Sequence, residues 1–345
     1  MKKIILKTKR SIHSIALLCY ISVMILCSCS NDEPNETPIP TEPVVYVAGV
    51  TTSSGSHGIA KIWKDGAEII LTDGGQDARA DAIYVSGDDV YVAGYEDITT
   101  NKSIAKIWKN GVATNLTDGT KNAEASSVFV IGSDVYVAGF ERDNKEIAKI
   151  WKNGIATNLT DGTKNARARS VFVSGNDVYV AGSESNGNKQ VAKVWKNGVP
   201  TILGNGTHNT IAYSVFVKEN DVYVAGIEFN NPKNIAKIWK NGVVTNLTDG
   251  TTHGELFSVF VSDNDVYVAG NEDNGAKVWK NGVATSLTNG TQATAFSVFV
   301  KGDDVYVTGF EKNGNKEVAK VWKNGEETSL TDGTNENYAF SIFVK

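Results

Sequence analysis

The sequence predicts an all-β fold, a seven-bladed β-propeller of four-stranded antiparallel blades, closed by the C-terminal strand completing the N-terminal blade. Three observations predict it. One phrase recurs seven times, marked by Trp63, Trp108, Trp151, Trp195, Trp239, Trp279 and Trp322, which are all the tryptophans of the 345-residue chain. Their spacings are 45, 43, 44, 44, 40 and 43, and a period in the forties built from short strands marks a propeller with one blade per repeat. Finally, the ends are complementary fragments. The repeat region opens at Val44-Val45-Tyr46-Val47-Ala48-Gly49 and stops at Ser341-Ile342-Phe343-Val344-Lys345, two strands that are consecutive everywhere else. Joining them in one blade removes the open sheet edge that an unclosed array would present.

Each element follows from local chemistry. Val90-Tyr91-Val92-Ala93-Gly94 and Ile104 to Lys109 are short β-rich runs, and Asn110-Gly111 separates the latter from Val112 to Leu116. Asn-Gly between alternating runs is the strongest short hairpin signal, because a type I′ turn needs positive φ at both central residues. It recurs at Asn153-Gly154, Asn197-Gly198, Asn241-Gly242, Asn281-Gly282 and Asn324-Gly325, with Asp65-Gly66 in the first copy. Ser127 to Val130 is the remaining strand, followed by a Gly/Asp/Asn-rich turn such as Ser174 to Asp177. By analogy with propellers, the Ser-Val-Phe-Val strand is expected innermost and the Leu-Thr-Asp-Gly segment outermost.

The first 43 residues read differently. Lys2, Lys3, Lys7, Lys9 and Arg10 precede an apolar stretch, Ile12 to Leu26, too short for a comfortable membrane span. Residues 1–28 are expected to be a signal peptide, and residues 29–43 a spacer that holds four of the six prolines among acidic and polar residues. The propeller occupies 44–345. Cys19, Cys27 and Cys29 are the only cysteines, so the ring is expected to use no disulfide or thiolate chemistry.

Leu26-Cys27-Ser28-Cys29 resembles the lipobox of bacterial lipoproteins, which implies cleavage before Cys29 and lipidation of that residue. The acidic run after it resembles the surface-export signal of Bacteroidetes-type lipoproteins. The repeats, with Tyr-Val-Ala-Gly, Trp-Lys-Asn-Gly and Leu-Thr-Asp-Gly, resemble seven-bladed propeller lipoproteins of such bacteria. The resemblance implies a fold and a bacterial outer-membrane address, periplasmic or surface-facing, with membrane contact only through the lipid on Cys29. It implies no chemistry.

Charge excludes some partners. The leader holds five of the 34 basic residues and none of the 39 acidic ones, so the remainder carries a net charge near −10. An acidic chain without a basic cluster is a poor match for nucleic acid or bare anionic lipid.

The repeats align with one another and separate framework from freedom. Lys61, Lys106, Lys149, Lys193, Lys237, Lys277 and Lys320 stand two residues before each Trp, and Glu96, Glu141, Glu184, Glu228, Glu272 and Glu311 follow the Tyr-Val-Ala-Gly strand, with Thr51 in the first copy. Equivalent carboxylates are unsuited to hydrolysis, which needs two carboxyls in unlike environments; a cross-strand Glu–Lys pair repeated with the blade is expected. The Asp of Leu-Thr-Asp-Gly reads as a turn former, since no repeat spaces oxygen ligands like a calcium loop. His57, His208 and His253 fall in three blades, against a zinc site. No metal or cofactor is expected.

Variation gathers in two places expected to share a face: the loop between the second and third strands, such as Arg142 to Lys145, and the positions just ahead of the innermost strand. The latter hold Arg79, Asp81, Glu124, Arg167 and Arg169 in three consecutive repeats, and Tyr213, Phe257, Phe296, Tyr338 and Phe340 in the other four. Drift at unconstrained loop positions is the ordinary explanation. The functional one is a channel mouth with a polar arc and an aromatic arc, suited to a ligand. The expected function is a monomeric, non-enzymatic, lipid-anchored extracytoplasmic binding module presenting one face to a protein or glycan. The alternatives are a structural scaffold or antigenic repeat protein without a dedicated ligand, and a glycosidase or lyase using the charged arc.

Overall fold

The computed structural model describes residues 42–53, 57–99 and 102–345. The leader and Cys29 lie outside the described residues. From Pro43 onward the chain forms one compact unit. It contains seven four-stranded antiparallel sheets and, among the described residues, no helix. We number the blades by chain position. Blade 1 joins 45–70 with 336–344, and blades 2 to 7 span 78–115, 122–158, 166–202, 209–246, 254–286 and 293–329.

Closure follows the expected route. The sheet of blade 1 is ordered with Glu336–Val344 beside Val45–Thr52, then Gly58–Lys64, then Ala67–Ile70. Val44 and Lys345 exchange backbone hydrogen bonds at 3.1 and 2.9 Å. The Asn-Gly turns take the expected conformation, with φ of 52° at Asn110 and 82° at Gly111.

Seven apolar layers, one between each pair of neighbouring blades, form the core. All seven tryptophans are at most 1% exposed. Each packs onto the preceding blade: Trp195 of blade 4 joins Tyr136, Ala138 and Ala148 of blade 3. Trp239 also donates its indole N–H to the carbonyl of Leu203 one blade back, at 3.1 Å. Tryptophan therefore recurs because every blade interface needs the same large wedge.

Two expectations need correction. The outermost strands are Val112–Asn115 and its equivalents, all exposed, whereas Leu-Thr-Asp-Gly forms the connection that follows. That phrase is occupied with turn formation. Leu116 N–H donates to the carbonyl of Ala105, and Asp118 Oδ1 accepts from the backbone N–H and the hydroxyl of Thr120 at 2.9 and 2.6 Å. The second correction concerns the variable positions, which are strand residues and not loop residues. The innermost strands begin well before Ser-Val-Phe-Val, as in Ala166–Ser174. Their alternating burial pairs them with the Tyr-Val-Ala-Gly strand along their whole length.

Candidate functional site: the channel mouth

Every innermost strand carries a β-bulge at the same place. In blade 4 the pairing shifts between Ala168 and Ser170, leaving Arg169 as the extra residue. The equivalents are Asp81, Ser126, Tyr213, Phe257, Phe296 and Phe340. A bulge bends the strand and re-aims one side chain. Here it aims one residue per blade at the ring axis. These side chains meet in a chain of contacts across consecutive blades: Tyr213–Phe257, Phe257–Phe296 and Phe296–Phe340 have ring centroids 5.2, 5.4 and 5.3 Å apart. The Arg169 guanidinium lies 5.1 Å from the Tyr213 ring centre, and that of Arg79 lies 5.1 Å from Phe340.

Two layers lie below this one. The serine after the bulge binds the next blade: Val171 N–H donates to Ser127 Oγ and Val215 N–H to Ser170 Oγ, both at 3.1 Å. The series continues from Ser214, Ser258, Ser297 and Ser341 to Val259, Val298, Ile342 and Ile83. These N–H groups lie on the free inner edge of each sheet, so the serines satisfy donors that would otherwise lack a protein partner. Blade 2 carries Ala82 instead, leaving its link to blade 3 unmade.

Deeper still, Tyr84, Phe129, Phe172, Phe216, Phe260, Phe299 and Phe343 close a complete ring with neighbouring centroids 4.7–4.9 Å apart. A heptagon of that side puts its corners about 5.5 Å from the axis, so the rings' own thickness leaves a bore a few ångströms wide. The mouth is thus a shallow vestibule with an aromatic floor.

The candidate residues do not all stand in the same relation to this vestibule. Arg79 Nε and Asp81 Oδ1 pair at 2.7 Å, and the Arg79 guanidinium also lies 5.3 Å from the Tyr95 ring. The Asp81 carboxylate holds Arg79 above its ordinary range, while burial pushes Asp81 itself up to about 6 against the pull of Arg79. Arg167 makes a two-pronged contact with Glu146, at 2.7 and 2.6 Å, and lies 4.0 Å above the Phe140 ring. Arg142 binds the same carboxylate. Burial would raise Glu146, but hydrogen bonds from Arg167 and Arg142 hold it down at about 2. Glu124, opposite Phe140, makes no ion pair among the described residues, and its charge acts on Arg79, Asp81, Arg167 and Arg169. Tyr338 stacks on Phe340 with planes 3° apart and meets Phe310 edge-on at 5.2 Å. Burial raises its hydroxyl to about 12.

Arg169 is the exception. It has no ion pair or hydrogen bond among the described residues, and its Nε is a buried donor without a partner. Burial pulls the guanidinium below its ordinary value. The Tyr213 ring lies against the guanidinium, while the residue as a whole stays partly exposed.

Sequence reasoning missed Glu146, Tyr95, Phe140 and Phe310, which hold the site residues from neighbouring strands, and marked Arg142 only as the start of a variable loop on the same face. It also missed the aromatic floor. The Phe of Ser-Val-Phe-Val was a visible signal for that floor, since it recurs on the strand expected to be innermost.

The repeated Glu–Lys contacts are structural, as expected. Lys106–Glu96, Lys193–Glu184 and Lys277–Glu272 pair directly, with Lys149–Glu141, Lys237–Glu228 and Lys320–Glu311 at 3.4, 3.3 and 3.2 Å. In blade 1, where Thr51 replaces the Glu, Lys61 turns to Glu68 at 2.9 Å. Recesses under the Asn-Gly turns, such as the one lined by Tyr136, Ile150, Thr157 and Val178, recur with equivalent linings in other blades. They follow from the repeat and distinguish no blade.

No protein-family model and no curated protein matches the chain. Among solved structures it is similar to a puromycin-hydrolyzing peptidase of Mycobacterium tuberculosis, with 11% identity and a TM-score of 0.52. That match covers 75% of this chain and 47% of the peptidase, so the chain spans about half the length of that protein. A subtype N10 neuraminidase-like protein of A/little yellow-shouldered bat/Guatemala/060/2010 aligns with 10% identity and a TM-score of 0.48, over 76% of this chain and 94% of that one. The likeness to the peptidase is one of fold, and the fold is a seven-bladed β-propeller.

Proposed function

We propose that this protein is a non-enzymatic, lipid-anchored extracytoplasmic binding module whose channel mouth receives a protein or glycan partner. The observation that carries the reading is that sevenfold repetition gives way, at the bulge layer and the strand positions beside it, to an arc of charged residues (Arg79, Asp81, Glu124, Arg167 and Arg169) facing an arc of aromatic ones. Tyr and Phe beside Arg suit sugar faces and protein hot spots.

The topology supports the presentation of that face. The innermost strands start at the mouth and run away from it, and Val44 pairs with Lys345 at their far end. Val44 therefore lies on the face opposite the mouth.

Two measurements test the reading. Cys29→Ala should abolish labelling by a radioactive fatty acid and release the protein from membranes; unchanged labelling rejects the anchor. A glycan array and a cell-surface pull-down should identify a partner that both Arg169→Ala and Phe296→Ala lose while their melting temperatures hold. Equal capture by all three proteins rejects the mouth as the site.

A further inference from the structure

We propose that Arg169, together with the aromatic arc from Tyr213 to Phe340, binds the carboxylate of a small organic acid or of an acidic chain end whose flat body enters the vestibule. This rests on the reading of the mouth as a ligand site and names the chemistry of the ligand.

The distribution of arginine is the first argument. The chain has five arginines, Arg10 in the leader and Arg79, Arg142, Arg167 and Arg169, the last four all in one sector of the mouth. Lysine, by contrast, is spread through every blade as framework. Three of the four arginines are engaged, Arg79 with Asp81 and the other two with Glu146. Arg169 alone is left without an acid partner among the described residues. Nor is it inherited from the repeat, because no other bulge carries a cation. The Arg169 side chain is partly exposed while its Nε is buried without a hydrogen-bond partner, so an anion entering from outside can reach it and satisfy that donor.

The surroundings narrow the choice of anion. Asp81, Glu124 and Glu146 act on the arginines of this sector, and Glu255 acts on Tyr213. These carboxylates work against a multiply charged anion such as phosphate and leave a singly charged one as the better match. A planar carboxylate also fits the guanidinium fork, which offers parallel donors. Size selects the rest. The Phe ring narrows the bore beneath the mouth, so a ligand lies in the mouth and does not thread the channel as a continuous polymer. The apolar wall for its flat body begins at Tyr213, directly against the guanidinium.

Calorimetric titration of the purified protein provides the test, with 3-phenylpropionate and D-glucuronate as acids bearing an aryl and a sugar body. Controls are 3-phenylpropanamide, the uncharged counterpart, and inorganic phosphate. One of the two acids should bind wild type, and Arg169→Gln should weaken it at least about tenfold. For an aryl ligand the amide should bind at least about tenfold more weakly than the acid. Phosphate should not compete, and Phe296→Leu should weaken the bound acid. Equal binding of acid and amide, or an unchanged affinity in Arg169→Gln, overturns the anion assignment; a Phe296→Leu effect would then leave the mouth as a site of other chemistry. Absence of binding by both acids at about 10 mM also overturns it, while the array and pull-down decide the wider reading independently. A second measurement needs no ligand. Arg169→Met should not lower the melting temperature of the free protein, since it removes an unpartnered donor and keeps an apolar stem of similar length. A fall would give Arg169 a structural role and overturn the proposal.

Discussion

A Cβ atom on Gly182 would stand 2.0 Å from the carbonyl oxygen of Arg167. The same collision awaits Gly94 with Arg79 and Gly309 with Thr294, both at 1.9 Å. The glycine that ends each Tyr-Val-Ala-Gly phrase is therefore the seat of the bulge on the adjoining strand. Gly182→Ala must push that backbone away, and rigid backbone at such a distance has no cheap response. The expected loss is about 3 kcal/mol in urea unfolding. A loss below about 1 kcal/mol would show that the bulge can shift freely.

Trp195 fills the layer between blades 3 and 4 and is 1% exposed. Trp195→Ala should cost roughly 3–5 kcal/mol, the range for truncating a buried aromatic. Denaturant midpoints measure this, and a cost near zero would mean that the interface collapses around the gap.

Glu219 holds φ at 56°, in the turn between Asn209–Lys218 and Asp221–Phe229. Four other blades place glycine there, Gly87, Gly132, Gly175 and Gly302, at φ between 57° and 59°. A side chain in that region carries strain that glycine lacks, so Glu219→Gly should stabilise the protein by about 0.5–1 kcal/mol. Calorimetry should show a slightly higher melting temperature; a lower one would assign Glu219 a favourable contact that outweighs its backbone.

Asp81 and Glu146 impose opposite pH dependences. Asp81 is raised to about 6, so its contribution is fully present below its ordinary value of 3.8 and is lost as the pH rises through 6. Glu146 is lowered to about 2, so its contribution is present above its ordinary value of 4.5 and is lost as the pH falls towards 2. Unfolding curves between about pH 3 and pH 7 should resolve both. The stability of wild type relative to Asp81→Asn should fall from about pH 4 to pH 6, whereas its stability relative to Glu146→Gln should rise from about pH 3 to pH 5. Parallel curves for all three proteins would overturn both assignments.

The fold was legible because it is written seven times. Trp spacing, Asn-Gly turns and complementary ends each fix a different level of it, and each is a local rule that tertiary packing repeats. The candidate site was legible only in part. Comparing copies picked out Arg169 and Phe296 because they vary where their neighbours do not. It could not reveal that Arg167 is bound to Glu146 and Arg169 is not, since that difference depends on side chains twenty or more residues away. Nor did it anticipate the bulge, whose signal was split between two strands: a glycine on one and an extra residue on the other.

The paired ends of the ring have a consequence for how the molecule can be cut. Val44 and Lys345 lie hydrogen-bonded side by side, so the point at which the chain enters the ring is not a property of the architecture. A circular permutant that links these two residues and opens at the exposed Asn197-Gly198 turn would keep every blade intact. It would also move the break in the ring's chain from the inner edge of blade 1 to the outer rim of blade 4. The orientation of the mouth relative to any surface holding the chain is thus encoded by the choice of break, separately from the fold.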